Sequence, residues 1–256
     1  MIYTDLFLTY FFINLNFQFK RMSRKNKEEW KIYKNVFDNF TLRTLFKLSS
    51  KGLFDELESP IALGKEANTF TASKGDEKVC VKIYRLESCD FNRMYEYIVT
   101  DPRLEKIKKQ KREIVFAWTQ REYRNLLKMR EFGLECPTPY GFFNNVLVME
   151  LIGEPSPQLR DHSPEDIDSM FEKVVKQMRL LWKNKFVHGD LSQYNILNDN
   201  EIPFLIDFSQ ATNSLNPRYE EFWKRDIKNV SNYFRKLGVE VDEDKLRAII
   251  KEEKEK

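Results

Sequence analysis

Short apolar runs along the chain predict three buried strands. They lie at residues 79–84, 146–152 and 204–206. The first run alternates apolar and small residues around Lys82, and the last run ends at Asp207. We therefore expect short buried strands that carry ionisable side chains within them or at their ends.

Apolar residues at helical spacing predict helices elsewhere. Between residues 116 and 129, Trp118, Glu122, Leu126 and Met129 recur on one face. Glu122 should thus face inward, where a carboxylate needs a partner. A second helix is predicted to begin at Ser163, which can cap it. Its apolar stripe consists of Phe171, Val174, Val175, Met178, Leu181 and Trp182.

Three polar side chains follow the apolar runs of the second half of the chain. Asp190 and Asn195 lie in V-H-G-D-L-S-Q-Y-N-I-L at residues 187–197, and Asp207 lies in F-L-I-D-F-S. Any one of them alone would more often be a cap or an Asx-turn. Together they have the spacing of a protein kinase catalytic loop and its metal-binding aspartate. Such a set suits phosphoryl transfer, because one carboxylate accepts a hydroxyl proton while an amide and a second carboxylate hold magnesium.

Upstream residues supply other parts that transfer from ATP requires. Lys82 stands where a kinase has its phosphate-binding lysine, and Glu122 is its natural partner. A kinase usually covers the phosphates with G-x-G-x-x-G, whereas residues 59–70 contain a single glycine, Gly64. One glycine can still let backbone amides approach phosphates, but it predicts a stiffer cover.

A hinge between two lobes is predicted at V-L-V-M-E-L-I-G, residues 146–153. The apolar run reaches Met149 and then passes into a linker, where backbone groups of Glu150 and Ile152 would bind adenine. A core strand would have the same apolar pattern. The hinge interpretation depends on the position of the run between the lysine strand and the H-G-D loop.

These residues resemble the RIO atypical protein kinases, most closely their type 1 subfamily, from about Lys27 to Val241. The motifs that carry the resemblance are G-K-E-A-N-T-F at 64–70, V-K-I-Y at 81–84, H-G-D-L-S-Q-Y-N at 188–195, L-I-D-F-S-Q-A at 205–211 and R-D-I-K-N-V-S-N-Y-F at 225–234. The resemblance implies an α+β, two-lobed protein-kinase-like fold with a small β-rich N-lobe and a helical C-lobe. It also implies that the activation loop and the peptide-binding subdomains are missing. In agreement, only eighteen residues without A-P-E separate Asp207 from Asp226.

The resemblance also implies roles for individual residues. Asp190 would be the catalytic aspartate, and Asn195 and Asp207 would hold Mg²⁺, with Mn²⁺ as an alternative ion. Asp207 is in addition a candidate acceptor for a transient aspartyl-phosphate. The residues expected around ATP are Ser59, Gly64, Lys65, Lys82, Glu122, Met149, Glu150 and Ile152.

Composition and charge agree with a two-lobed enzyme. The 256 residues, 41% of them hydrophobic and 14% aromatic, can bury one core per lobe. Net charge is only +3, but residues 103–112 carry six basic residues and one acidic residue. By resemblance this segment belongs to a flexible insertion that could contact ribosomal RNA phosphates, although a solvated loop would have the same composition. The three cysteines form no even or metal-like set, which favours a reducing cytoplasm.

The predicted domain organisation begins with residues 1–22, a non-native or disordered extension. Its apolar sequence is too interrupted to span a bilayer, and Met22 is a candidate true start. Residues 23–58 should form the N-terminal helices of the family. Their apolar faces consist of Trp30, Tyr33, Val36 and Phe37, and of Leu42, Leu45, Phe46 and Leu48. The remaining parts are an N-lobe at 59–149 with a flexible basic insertion at about 85–112, a hinge at 150–153 and a C-lobe at 154–256.

The sequence therefore predicts a cytoplasmic, ATP- and magnesium-dependent serine/threonine kinase or ATPase without a membrane partner. Autophosphorylation is expected, and the resemblance implies a role in small ribosomal subunit maturation on pre-ribosomal particles. Two alternatives stay open. One is a small-molecule phosphotransferase of the aminoglycoside kind, which also uses an H-G-D loop. The other is a pseudokinase scaffold that binds pre-ribosomal particles without catalysis.

Overall fold

The structure, a computed structural model, describes residues 37–101 and 107–252. The chain divides into two compact units, residues 1–45 and residues 46–256. Within the first unit the described residues are 37–45, which contain the beginning of helix α1 (Asn39–Ser49). The second unit contains both lobes of the predicted enzyme.

Five antiparallel strands form the sheet of the small lobe. They are β1 (Glu56–Leu63), β2 (Ala67–Lys74), β3 (Glu77–Tyr84), β4 (Pro139–Phe143) and β5 (Val146–Glu150). Their order is β1-β2-β3-β5-β4, so β3 is central. Lys82 on β3 is paired with Thr69 of β2 on one side and Leu147 of β5 on the other. The apolar run at 79–84 is thus confirmed as a buried strand, and the run at 146–152 is a strand over its first five residues.

Two helices accompany this sheet, α2 (Phe91–Val99) and α3 (Lys111–Glu131). The inward stripe predicted on α3 is confirmed, because Trp118, Glu122, Leu126 and Met129 are all buried. Helix α2 lies within the segment 85–112, for which the sequence predicted a flexible insertion, and the flexibility of this segment stays a prediction. Asp90 caps α2 by accepting from the Arg93 N–H at 3.1 Å, and the buried residues of the helix are Met94, Tyr97 and Ile98. Residues 103–106 of the basic segment lie outside the described residues.

The large lobe consists of helices and two small two-stranded sheets. Its elements are α4 (Ile167–Lys183), β6 (Phe186–Val187), β7 (Ile196–Asp199), β8 (Ile202–Leu205), a 3-10 turn (Phe208–Gln210), β9 (Thr212–Asn213), α5 (Tyr219–Lys236) and α6 (Glu243–Lys251). Strand β6 pairs with β9, and β7 pairs with β8. The H-G-D loop leaves β6 and enters β7, while Asp207 follows β8. The two small sheets therefore bring the polar residues of both motifs to one place.

Helix α4 begins later than the sequence predicted. Asp166, rather than Ser163, is the N-cap, and its side chain accepts from the Ser169 N–H at 2.9 Å. The N–H of Asp166, three residues after Ser163, donates to Glu201 Oε2 at 3.2 Å, so Ser163 does not cap it. The predicted stripe is buried at Val174, Val175, Met178 and Leu181, and only half-buried at Phe171 and Trp182.

The predicted N-terminal helices are only partly described. The first one, apart from Phe37, lies outside the described residues. In α1, Leu45 and Leu48 are buried, but Leu42 and Phe46 are 41% and 37% exposed, so the four do not form one buried face. Strand β1 begins at Glu56, so residues 56–58 belong to the sheet and not to the helices. The other predicted domain limits stay a prediction. Across the described ranges, every helix is too short or too polar to cross a bilayer.

Candidate active site

Lys82 contacts carboxylates from both lobes. Its Nζ lies 2.7 Å from Glu122 Oε1 and 3.1 Å from Asp207 Oδ1. Tyr84 also donates its hydroxyl to Glu122 Oε2. Burial alone would lower the pKa of Lys82, but the charges of Asp207 and Glu122 outweigh it and raise that pKa. The predicted Lys82–Glu122 ion pair is therefore present, and the ammonium group stays charged.

Asp207 is oriented by its backbone and by its neighbours. Its φ is +62°, a left-handed conformation that aspartate adopts more readily than most residues. Ser209 Oγ donates at 2.7 Å to Oδ1, the oxygen that Lys82 also contacts. Burial would raise the pKa of Asp207, but the charge of Lys82 and the bond from Ser209 prevail and lower it. Because both contacts fall on Oδ1, we assign Oδ2 to the ligand side.

Helix α3 clamps the segment that follows Asp207. The guanidinium of Arg121, fully buried, donates to the carbonyl oxygens of Ser209 and Ala211 at 3.0 and 2.8 Å. Asn125, one turn later, donates to the Ala211 carbonyl oxygen at 2.9 Å. The helix that supplies the glutamate partner of Lys82 thus also fixes the backbone beside Asp207. Sequence reasoning missed both residues, although each is a polar side chain on the buried side of the predicted helix.

Asp190 and Asn195 lie in the loop between β6 and β7. Asn195 Nδ2 donates to the Asp190 carbonyl oxygen at 2.8 Å, so the amide oxygen is the atom that a metal ion would use. Asp190 Oδ2 accepts from Gln210 Nε2 at 3.2 Å. Burial and the charge of Asp207 raise the pKa of Asp190. A carboxylate with raised proton affinity suits a group that accepts a hydroxyl proton.

His188 supports this loop from inside the large lobe. It is completely buried, its Nε2 lies 3.0 Å from the Ile206 carbonyl oxygen, and its ring packs against Phe208 at 4.6 Å. Burial lowers the pKa of His188 to about 4, so the imidazole is neutral at physiological pH. His188 therefore braces the loop between β6 and β7.

Asp226 of α5 holds the same loop from the other side. Its carboxylate accepts from the backbone N–H groups of Gly189 at 2.8 Å and Leu191 at 2.9 Å, and burial raises its pKa to about 7. Gly189 has a φ of +83°, and a Cβ there would lie 3.1 Å from the Gln210 carbonyl oxygen. This geometry explains the glycine between His188 and Asp190. Sequence reasoning placed Asp226 in a motif of the family and used it to measure the missing activation segment, but it did not foresee the bonds to the loop.

The turn between β1 and β2 occupies the place of the glycine-rich loop. The Gly64 N–H donates to the Ala67 carbonyl oxygen at 2.9 Å, and Lys65 is exposed. Glu66 is half-buried, and burial and the charge of Asp207 raise its pKa, so this side chain, which the sequence did not single out, faces the site.

Ser59 lies five residues before Gly64, roughly 15 Å along an extended strand. Its backbone bonds Thr71 Oγ1, so its place over the triphosphate stays a prediction.

The predicted hinge follows β5. Met149 is buried and paired with Cys80, and the Glu150 N–H donates to the Thr138 carbonyl oxygen at 2.8 Å. The Ile152 carbonyl oxygen accepts from the Ser156 N–H at 2.8 Å. These bonds occupy the N–H of Glu150 and the carbonyl oxygen of Ile152, and the binding of adenine by this segment stays a prediction.

The donor set near Asp207 fits magnesium. Within residues 37–101 and 107–252, no cluster of three or more His, Cys, Asp or Glu side chains could enclose a metal ion. Mg²⁺ does not need one, because it is usually bound by one or two protein oxygens together with substrate phosphates and water. An amide oxygen of Asn195 and a carboxylate oxygen of Asp207 would be two such ligands.

The fold and the site define the class of protein. An antiparallel five-stranded sheet, a central lysine paired with a helical glutamate, and a helical lobe with the catalytic loop make up a two-lobed, α+β protein-kinase-like fold. The eighteen residues between Asp207 and Asp226 lack room for an activation segment.

Comparisons with known proteins narrow this class. A model of the RIO domain family matches residues 68–246. The RIO-type serine/threonine-protein kinase Rio1 of Haloferax volcanii is 40% identical over 231 residues, which cover 88% of this chain and 79% of that protein. The Rio1 protein of Thermoplasma acidophilum is also 40% identical, over 185 residues that cover 71% of this chain and 98% of that protein.

Solved structures agree on the fold. The crystal structure of the Rio2 kinase from Chaetomium thermophilum has a TM-score of 0.65 and 20% identity, covering 81% of this chain and 66% of that chain. A second structure of that kinase, its ADP/Mg²⁺-phosphoaspartate complex, has a TM-score of 0.63 and 19% identity, covering 81% of this chain and 64% of that chain. The chain belongs to the RIO family of protein kinases, as the resemblance of its motifs predicted.

Proposed function

We propose that this protein is an atypical serine/threonine kinase with ATPase activity, which transfers the γ-phosphate of ATP and phosphorylates itself. The observation that carries the proposal is the position of Lys82, whose ammonium group lies between Glu122 and Asp207 at 2.7 and 3.1 Å. A buried cation fixed in this way can stabilise charge on a transferring phosphate without reorganisation.

Each residue of the site has a proposed part in the transfer. Asp190 takes the proton of the acceptor hydroxyl as that oxygen attacks the γ-phosphorus. The bond from the γ-phosphorus to the bridging oxygen breaks, and ADP leaves. Asn195 and Asp207 would hold Mg²⁺, which when bound neutralises charge on the phosphates. Glu150 and Ile152 would bind adenine through their backbone, and the turn at Gly64 would cover the triphosphate.

We also propose that Asp207 accepts the phosphate transiently. The related Rio2 kinase of Chaetomium thermophilum forms an ADP/Mg²⁺-phosphoaspartate complex, which supports the idea. In such a step a carboxylate oxygen of Asp207 forms a bond to the γ-phosphorus, and the bond to the ADP oxygen breaks. Water then attacks the acyl phosphate, its proton is lost to solvent, phosphate leaves and the carboxylate is restored. This sequence amounts to ATP hydrolysis, while transfer to a hydroxyl amounts to kinase activity.

Labelled ATP tests the main proposal. The wild type with Mg²⁺ should hydrolyse γ-labelled ATP and label itself, and Asp190→Ala and Asp207→Asn should abolish both. Asp168→Asn, an exposed carboxylate on α4, is the matched control and should leave both unchanged. No turnover by the wild type would favour the scaffold alternative, and transfer to an aminoglycoside but not to protein would favour the small-molecule alternative.

Hydroxylamine tests the aspartyl-phosphate. An acyl phosphate is cleaved by hydroxylamine, whereas phosphoserine and phosphothreonine resist it. We expect a hydroxylamine-sensitive fraction of the label in the wild type. If all of the label resists hydroxylamine when the reaction is quenched during turnover, the proposed intermediate is wrong.

We propose further that the protein acts in the cytoplasm, in maturation of the small ribosomal subunit. The support is the RIO family membership, the three unpaired cysteines and the basic segment 103–112, which could contact ribosomal RNA phosphates. Exchanging the exposed Lys108 and Lys109 for glutamate should weaken co-sedimentation with small-subunit precursors and reduce its salt dependence. The same exchange at Lys224 and Lys228 of α5 is the control, and equal weakening by both pairs would contradict contact through this segment.

A further inference from the structure

The side chain of Gln210 lies between the catalytic loop and helix α2. It is 8% exposed. Its Nε2 donates to Asp190 Oδ2 at 3.2 Å, and its Oε1 accepts from the Tyr97 hydroxyl at 2.7 Å. One amide thus joins the catalytic carboxylate to a helix in the region that the sequence suggested was a flexible insertion.

The orientation of this amide follows from its partners. Besides Tyr97, Arg93 and Arg225 each donate an Nη2 hydrogen to Oε1, at 3.3 and 3.2 Å. A guanidinium has no acceptor, so both arginines must face the amide oxygen. The NH₂ group is therefore the part that faces Asp190.

Tyr97 is a rigid support for the amide. It is 3% exposed, and its ring stacks on Phe222 at 5.4 Å and meets the edge of Trp118 at 5.7 Å. Its carbonyl oxygen accepts from Arg121 at 3.1 Å. Because its ring, its hydroxyl and its backbone all contact neighbouring residues, Tyr97 has little freedom to move and can hold Gln210 in place.

We infer that Gln210 is a positioning residue, which holds Asp190 through Oδ2 and is itself held by Tyr97 of α2. With Oδ2 turned toward Gln210, Oδ1 is the oxygen that accepts the proton of the acceptor hydroxyl. The inference rests on the proposed function, because it concerns how the catalytic aspartate is aimed. It also gives α2 a direct influence on phosphate transfer.

Two substitutions test separately the Nε2 group that Gln210 donates to Asp190 and the hydroxyl that Tyr97 donates to Gln210. Gln210→Glu keeps an oxygen for Tyr97 and the arginines but replaces the group that donates to Asp190. Tyr97→Phe keeps the ring and removes only the hydroxyl. Tyr95→Phe, on the same helix, is the matched control and should behave as the wild type.

The measurement is the steady-state rate of phosphate transfer, together with the KM for ATP and the melting temperature. Gln210→Glu should lower kcat roughly tenfold to a hundredfold, because a displacement near 1 Å at a reacting group has effects of that size. Tyr97→Phe should lower kcat less. In both, the KM for ATP should change less than about twofold, since neither residue is assigned to the nucleotide. A residue needed only for folding would change KM and melting temperature together with kcat.

A double-mutant cycle supplies the decisive outcome. In the Gln210→Ala background, Tyr97→Phe should lower kcat less than it does in the wild type, because the amide carries one part of its influence and the 3.4 Å contact with Arg225 Nη2 carries the other. Wild-type kcat in Gln210→Glu, or an undiminished effect of Tyr97→Phe in the Gln210→Ala background, would overturn the inference while leaving the proposed kinase function intact. An inactive wild type would overturn both.

Discussion

Replacing Arg121 with methionine should destabilise the protein far more than a comparable change elsewhere on helix α3. Arg121 Nη1 lies 2.7 Å from Asp101 Oδ2, and the two side chains are 0% and 4% exposed. The same guanidinium donates to the carbonyl oxygens of Tyr97, Ser209 and Ala211 at 3.1, 3.0 and 2.8 Å. Methionine has a similar length but no donor.

The expected magnitude follows from burial. Removing one partner of a buried ion pair costs about 3–5 kcal/mol, and Arg121→Met also removes the donor to three carbonyl oxygens. A domain has a total stability of only about 5–15 kcal/mol, so the loss would be a large fraction of it. Lys128→Met is the matched control. Lys128 Nζ also lies 2.7 Å from a carboxylate, that of Glu131, but these side chains are 44% and 63% exposed. The control should therefore lose less than about 1 kcal/mol.

Urea denaturation followed by tryptophan fluorescence measures both losses, since the chain has four tryptophans. A loss below about 1 kcal/mol in Arg121→Met, or an equal loss in Lys128→Met, would refute the reasoning from burial.

Three further predictions concern the lysine, the hinge and the catalytic loop. Lys82→Met should reduce phosphate transfer by a factor of about 100 or more; radiolabelled ATP measures this, and activity near that of the wild type would exclude the assigned role. Gly153 has a φ of +64°, and a Cβ there would lie 2.0 Å from Ser156 Oγ, whereas a Cβ on Gly75 would meet nothing within 4 Å. Gly153→Ala should therefore lose about 1–3 kcal/mol of unfolding free energy in urea, and more than Gly75→Ala. Burial lowers the pKa of His188 from 6.5 to about 4, so between these pH values the unfolded chain binds a proton at His188 that the folded chain does not bind. The stability due to neutral His188 is therefore present above pH 6.5 and is lost as the pH falls toward 4. Urea titrations at pH 4.5, 5.5 and 6.5 should show this slope in the wild type but not in His188→Asn, and parallel curves would contradict it.

The Lys82–Glu122 pair could be predicted from the sequence because each partner has a local signal. The lysine interrupts an apolar strand, and the glutamate interrupts an apolar helical stripe. A buried charge requires an opposite charge, so the two unusual positions imply each other. The H-G-D loop and Asp207 could be found for a similar reason, since their order and spacing are local properties of the chain.

Contacts between segments that are distant in the sequence could not be predicted, because no local pattern indicates them. Arg121 bonds carbonyl groups 88 and 90 positions further along the chain, and a backbone carbonyl group has no side-chain identity that a sequence pattern could reveal. Asp226 is similar, because its partners are the N–H groups of the catalytic loop.

Helix α2 is a different case. Met94, Tyr97 and Ile98 have helical spacing and are buried, but the basic segment that follows drew the whole region into a predicted flexible insertion.

The hydrogen bonds that hold α3 to the segment after Asp207 affect how this kinase could be controlled. To move away from the large lobe, α3 must release four hydrogen bonds that Arg121 and Asn125 donate to the carbonyl groups of residues 208, 209 and 211. At about 1 kcal/mol each, this amounts to ~4 kcal/mol. The displaced state would then have a population on the order of one in a thousand. An activation segment is not needed to keep Glu122 against Lys82, because Arg121 and Asn125 already fix α3, the helix that carries Glu122, to residues 208–211. Control should therefore act on nucleotide binding or on access of the acceptor, rather than on the position of this helix.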